Sequence, residues 1–309
     1  MKRSNALALR LFATRAKLLD AIESEQEARA RRHQERVMAF EARASTAISS
    51  GKAALVVPLM LLANGDSWFN YPLVDNGPLC RDTDIIVKLG KIGRPKPFIL
   101  SVAHWGDTSV DELALPKQKR MKEQLQNKAN WGARGKPDAI LISAGGNDIA
   151  GDQFCIFIND VQAGRPLNRA RLQEALGMIE ASYQELFDFR NKYAHGVPIY
   201  GHCYDFAVPD GSSPPFPGVG PWLKPSFDFS GQTNMAANKQ AVADALKLLK
   251  TLLTKLASKA SNRFHLIDTQ GTITRPSEWA NELHPTEATF EKFADVFRRR
   301  LAADFPGRI

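Results

Sequence analysis

The chain has 309 residues, 44% hydrophobic and 24% charged, enough to bury a full core in one large domain or in a domain with an appendage. No stretch reaches the about 18 uninterrupted apolar residues that a membrane span needs, and the basic N-terminus, broken by Arg10 and Arg15 with no small-residue cleavage pattern nearby, argues against a secretory signal and for a cytoplasmic protein. The net charge of +8 is uneven, because residues 1–50 hold ten Lys/Arg against six acids and so carry half of the excess.

Residues 1–50 read as an N-terminal basic helical segment and 51–309 as the main domain. Leu7, Leu11, Leu18, Leu19 and Ile22 recur at helical spacing on one face. Residues 23–36 lose that face and become rich in Glu, Gln and Arg, a stretch that i,i+4 pairs such as Glu25 with Arg29 and Glu27 with Arg31 can keep helical. The apolar spacing returns at Val37, Met38, Phe40 and Ala44, and Ser49-Ser50-Gly51 marks the break. The expectation is a long helix or a helical hairpin that packs or oligomerises, with contact to nucleic acid or an anionic membrane as the weaker reading of its charge.

From residue 51 onward, short apolar runs alternate with helix-length amphipathic stretches, the pattern of an α/β domain with a mainly parallel sheet. Strands are expected at Leu59–Ala63, Phe98–Ala103, Ala139–Ser143, Pro198–Tyr204 and Phe264–Asp268, the first beginning just after Pro58. Helices are expected at about 107–127, 168–194, 234–260 and 286–304. Residues 207–233 break the alternation, with six prolines and the aromatics Phe216, Trp222, Phe227 and Phe229, too proline-rich for regular structure and too aromatic for a simple linker. They read either as a lid that shapes a substrate site or as a loop packed on the surface. Cys80, Cys155 and Cys203 lack CxxC spacing, which argues against a disulfide framework and a zinc site.

Three short motifs fall at the ends of the expected strands, and a fourth lies in the loop before the last helix. Gly65-Asp66-Ser67 follows the first, Gly106 lies in Ala103-His-Trp-Gly-Asp107 after the second, Gly145-Gly-Asn-Asp148 follows the third, and His284 lies in Asn281-Glu-Leu-His-Pro285 before the last helix. A serine hydroxyl needs a base to become a nucleophile, and attack on an ester carbonyl needs donors aimed at the developing oxyanion; losing one such donor typically costs about 10²–10³ in rate. Taken together the motifs resemble the SGNH hydrolases, or GDSL esterase/lipase family, with Ser67, Gly106, Asn147 and His284 as the four naming residues. The likeness runs from about residue 53 to the C-terminus. It implies a three-layer α/β/α sandwich around a flavodoxin-like five-stranded parallel sheet of order 2-1-3-4-5, preceded here by an N-terminal helical extension.

The resemblance further implies Ser67 as nucleophile, His284 as base, and an oxyanion hole built from the amides of Ser67 and Gly106 with the Asn147 side chain. Its usual Asp three residues before the histidine is replaced by Asn281. Three readings follow: Asn281 orients the ring in a Ser-His dyad, Glu282 or another carboxylate completes a triad, or the site is dead. Asp66 and Asp148 read as turn braces, His202 and His265 as strand residues in the core, and His104 as a possible neighbour of the site. No pair of histidines has metal spacing and no Gly-rich phosphate loop follows a strand, so neither metal nor cofactor is expected. The reaction implied is cleavage of a carboxylic ester, acyl or acetyl, on a small-molecule, glycan or lipid substrate, through an acyl-enzyme. No nucleic-acid partner and no membrane span are expected, and residues 1–50 are the candidate oligomerisation element. The alternative is a catalytically weak or dead scaffold on the same fold, recruiting a partner through the N-terminal helix.

Overall fold

In the computed structural model the described residues are 2–71, 83–214 and 219–309, with the side chains of 2–16, 18 and 19 not described. Cys80, Pro215, Phe216 and Pro217, and the side chains of Leu7, Leu11, Leu18 and Leu19, therefore lie outside the described residues.

Five strands form one all-parallel sheet: β1 (Met60–Gly65), β2 (Phe98–Ser101), β3 (Ala139–Ser143), β4 (Ile199–His202) and β5 (Phe264–Ile267), in the spatial order β2-β1-β3-β4-β5. The expected order is the observed one. β1 and β3 are buried along their whole length, as central parallel strands covered on both faces must be. On one side α2 (Ile85–Leu89) packs against α8 (Glu287–Asp304); on the other α3 (Ser109–Glu112), α4 (Leu115–Gln126), α5 (Arg169–Tyr193) and α7 (Met235–Ser258) pack together. The long helices start where the sequence supplies caps: Asn168, Asn234 and Thr286 each accept backbone N–H groups of the first turn of α5, α7 and α8.

Two expectations need correction, and the choice between a long N-terminal helix and a hairpin falls to the long helix. The helix expected over about 107–127 is two helices, because Pro116 lacks an N–H and its ring excludes a continuous turn, so α4 restarts with proline in its first turn. The proline-rich 207–233 stretch contains a short helix, α6 (Lys224–Phe229), again with proline in the first turn. The N-terminal segment is one 48-residue helix, α1 (Lys2–Ser49), which ends before Gly51 at φ 69°.

Its packed face also differs from the one read in the sequence. Gln26, Ala30, His33, Val37, Phe40 and Ala47 are buried and Ala44 packs beside them, so alternating three- and four-residue steps run straight through the stretch that looked fully solvated. Met38 points away, 57% exposed. This seam lies along β2: Phe40 meets Phe98 edge-to-face, Arg36 stacks over the same ring at 4.8 Å, and Gln26 Nε2 and Arg29 Nη1 donate to the carbonyls of Val102 and Ala103. Charged and small residues had concealed the seam, because polar side chains here contribute stems and hydrogen bonds rather than apolar bulk. The expected helical pairs Glu25–Arg29 and Glu27–Arg31 are both present.

Candidate active site

Ser67 sits two residues beyond the last residue of β1, at the carboxyl edge of the sheet. The turn that presents it is clamped from below. Asp66 N–H donates to Ser143 O, and the Asp66 carboxylate accepts from Trp68 N–H at 2.9 Å, from the Ser143 hydroxyl at 2.8 Å and from the Tyr204 hydroxyl. Burial raises the Asp66 carboxyl to about 6, against the opposing pull of these three donors. A side chain at Gly65 would collide with Ser143, and one at Gly146 with the Tyr204 ring at 2.7 Å, so glycine is required where the two turns approach these residues. Asp148 braces the other side, accepting from both the amide and the hydroxyl of Ser109 at the start of α3.

The loop after β5 brings His284 to Ser67. Ser67 Oγ and His284 Nε2 lie 2.7 Å apart, and His284 Nδ1 lies 2.9 Å from Asn281 Oδ1. Asn281 Oδ1 also accepts the backbone N–H of Leu283 and of His284, while its Nδ2 donates to Tyr71 Oη. Only the oxygen can face three N–H groups, so the amide orientation is fixed and the tautomer follows: Nδ1 carries hydrogen, and Nε2 is the bare acceptor facing Ser67. Tyr71 stacks on the imidazole at 4.5 Å and Trp222 meets it edge-on at 5.4 Å. Burial lowers His284 to about 3.

Glu282 does not approach His284 in the hydrogen bonds it forms. Its buried carboxylate takes four backbone N–H groups, from Gly211, Trp222, Leu223 and Lys224, tying the proline-rich 211–224 strap to the histidine loop. The orienting contact at Nδ1 therefore comes from the neutral Asn281.

Asn147 lies beyond β3, its Nδ2 donating to Asp107 O at 2.9 Å. Ser67, Asn147 and His284 line one cleft of about 50 Å³, whose apolar walls include Ile149, Phe154, Leu223, Val242 and Leu246. Gly106, at φ 83° and exposed, is next to Asp107 but is not among the residues that line the cleft. His104 pairs with Asp107 through Nδ1. His202 is buried, its Nε2 2.8 Å from Ser143 Oγ, and burial lowers it to about 4. His265, expected in the core, is half-buried, stacked on Tyr200 and bonded to Arg300, because β5 is an edge strand. Tyr71 and Tyr204 were missed in the sequence; neither carries a motif, and only the proximity of Tyr71 to Ser67 hinted at it, whereas Trp222 is one aromatic of the 207–233 stretch that reads as a lid or a surface loop. Among the described residues no group of three or more His, Cys, Asp or Glu is arranged to hold a metal ion.

Residues 81–297 match the family described as GDSL-like Lipase/Acylhydrolase, which is more than half of the chain. The chain belongs to that family. It is a hydrolase of the esterase and lipase type. The GDSL match begins downstream of Ser67 and does not include that residue. Among solved structures the fold is similar to the lipase Lip_vut3 from a goat rumen metagenome, at 15% identity and TM-score 0.50, covering 78% of this chain and 96% of that one. The extracellular lipase from Streptomyces rimosus aligns at 17% identity and TM-score 0.47, covering 77% of this chain and 98% of that one. A search of curated proteins found no significant match. Among the described residues of this GDSL-family chain no helix is long and apolar enough to cross a membrane.

Proposed function

We propose that the chain hydrolyses carboxylic esters through an acyl-enzyme, with Ser67 as nucleophile and His284 as base. The observation that carries this reading is the 2.7 Å contact between Ser67 Oγ and the bare Nε2 of His284, with the ring held from Nδ1 by Asn281. Ser67 Oγ attacks the ester carbonyl while its proton passes to Nε2. The oxyanion is held by the Ser67 amide and by the second hydrogen of Asn147 Nδ2, whose first is engaged by Asp107 O; Gly106, outside the cleft lining, joins them only if its amide turns inward when substrate binds. Collapse breaks the C–O bond, and the departing alkoxide takes the proton from His284. Water then attacks the acyl carbon, gives its proton to Nε2, and Ser67 recovers it as the acid leaves.

The cleft that holds Ser67 is small, about 50 Å³, and mostly apolar, which favours a short acyl chain over a long one. The alcohol half, whether small molecule, glycan or lipid, lies toward solvent in this reading. The test is turnover of p-nitrophenyl esters from acetate to octanoate by the native chain, Ser67→Ala and His284→Ala. Turnover lost in both variants, falling with chain length in the native protein, is expected. Native turnover no faster than the variants, together with no labelling of Ser67 by a fluorophosphonate, would overturn the assignment.

A further inference from the structure

His202 takes no part in the chemistry proposed for Ser67, yet two buried contacts join it to the nucleophile turn. Its Nε2 lies 2.8 Å from Ser143 Oγ, which in turn lies 2.8 Å from Asp66 Oδ1. Its Nδ1 lies 3.1 Å from the Cys203 carbonyl, and Tyr204 Oη meets Asp66 Oδ2. Asp66, Ser143 and His202 are all buried, out of reach of bulk water.

These four contacts need four hydrogens, one for each. Tyr204 supplies one, since burial keeps its phenol protonated, Ser143 supplies another and a neutral imidazole a third. An ionised Asp66 supplies none. However three hydrogens are distributed, one pair of electronegative atoms is left at contact distance with nothing between them. A fourth hydrogen closes the set. On Asp66 it is donated to Ser143 Oγ, whose own hydrogen turns to Nε2; on His202 it is donated from Nε2 to Ser143 Oγ, whose hydrogen goes to Asp66. Both forms are free of net charge.

The surroundings favour that neutrality. The rings of Trp68, Phe69, Tyr204 and Phe297 enclose the imidazole, and Asp107 and Glu112 bear on Asp66 with charge of its own sign. Burial raises Asp66 to about 6, and a buried contact left unmade is costly enough to hold the proton beyond that point. Asp66 also lines the cleft next to Ser67. A bare carboxylate there would oppose the negative charge that develops on a substrate oxygen held by the Ser67 amide.

We propose that Asp66, Ser143 and His202 share this fourth hydrogen, and that His202 is a positioning residue which, through Ser143 and Asp66, keeps the Ser67 turn free of net charge while the oxyanion forms. The catalytic half of this inference rests on Ser67 as the nucleophile; the hydrogen count does not.

The test reads the proton and the rate separately, in the full chain at pH 7. Infrared difference spectra between the native chain and Asp66→Asn report a protonated carboxyl, and nitrogen-15 spectra of labelled histidine report whether His202 carries one hydrogen or two. A protonated Asp66, or a doubly protonated His202, supports the shared hydrogen; an ionised Asp66 beside a neutral His202 overturns it. His202→Phe keeps an aromatic ring but no nitrogen, and so leaves Asp66 ionised. With p-nitrophenyl acetate its kcat is expected to fall about tenfold or more while KM stays near native. Adding Asp66→Asn removes the charge and should restore most of that loss. An unchanged kcat in His202→Phe, or a loss that Asp66→Asn leaves in place while the melting temperature is retained, overturns the positioning role. A native chain that holds the fourth hydrogen, yet shows neither turnover nor fluorophosphonate labelling of Ser67, would remove the esterase reading and support the shared hydrogen alone.

Discussion

Asn281 Oδ1 and His284 Nδ1 lie 2.9 Å apart, and the same oxygen gathers two backbone amides, so a neutral side chain orients the candidate base. The ring is held in one tautomer, yet no carboxylate among the described residues touches it to favour its charged form. Burial alone then sets its basicity, to about 3 against the ordinary 6.5.

The pH profile follows with a definite sign. The neutral imidazole is the working base, so the acid limb of kcat/KM in the native chain should fall well below pH 6.5, where His284 finally takes a proton. Asn281→Asp places a negative charge at Nδ1, favours the imidazolium and moves that limb to higher pH. Profiles of the two proteins on one p-nitrophenyl ester check this; coincident limbs would remove Asn281 from its orienting role.

Glu282→Ala frees four backbone amides at once, one buried and three part-buried. The expected loss is about 2–4 kcal/mol in urea unfolding. Because Trp222 and Leu223 are among those anchored, KM should rise more than kcat falls. A fall in kcat alone, with stability unchanged, would contradict the strap's anchoring.

Glu112 is buried with both carboxylate oxygens unpartnered, and burial pushes its carboxyl well above the usual range. The folded chain therefore keeps a proton that the unfolded chain releases above about pH 4.5, and stability is lost as pH rises from there until Glu112 ionises. Glu112→Gln removes this penalty, so its stability relative to the native chain should grow by about 1.4 kcal/mol per pH unit across that window. Denaturation midpoints at pH 5, 6 and 7 are the measurement, and a constant difference is the adverse result.

Phe40 and Met38 test the seam of α1. Phe40→Ala opens the contact with Phe98 and should cost about 3 kcal/mol, whereas Met38→Ala, on the exposed side, should stay within about 0.5 kcal/mol of native. Equal effects would mean that the seam faces elsewhere.

The parallel sheet was legible because five apolar runs are separated by long amphipathic helices, whereas its strand order came from the family resemblance alone. The Ser67–His284 contact was legible through the resemblance alone, since residues so far apart in sequence carry no local signal of meeting. What was hidden has common physical causes. The α1 seam is built from Gln26, Ala30 and His33, which a hydrophobicity count does not see. The task of Glu282 depends on amides of a distant strap, and backbone amides leave no trace in a sequence. Ser143 and Tyr204 reach Asp66 from β3 and from just past β4, a convergence that only the folded sheet creates.

The helix along β2 also bears on how the protein behaves in a crowded solution. β2 is the last strand on its side of the sheet, and an outermost strand is a template for another chain. With α1 seated there, Gln26 and Arg29 occupy the carbonyls of Val102 and Ala103 just beyond the strand. A form cut at Gly51 would bare that margin together with the apolar faces of Phe98 and Leu100, and strand-to-strand aggregation would be its natural fate. In this light residues 26–47 act as a cover for the sheet, as much a safeguard of solubility as a part of the core.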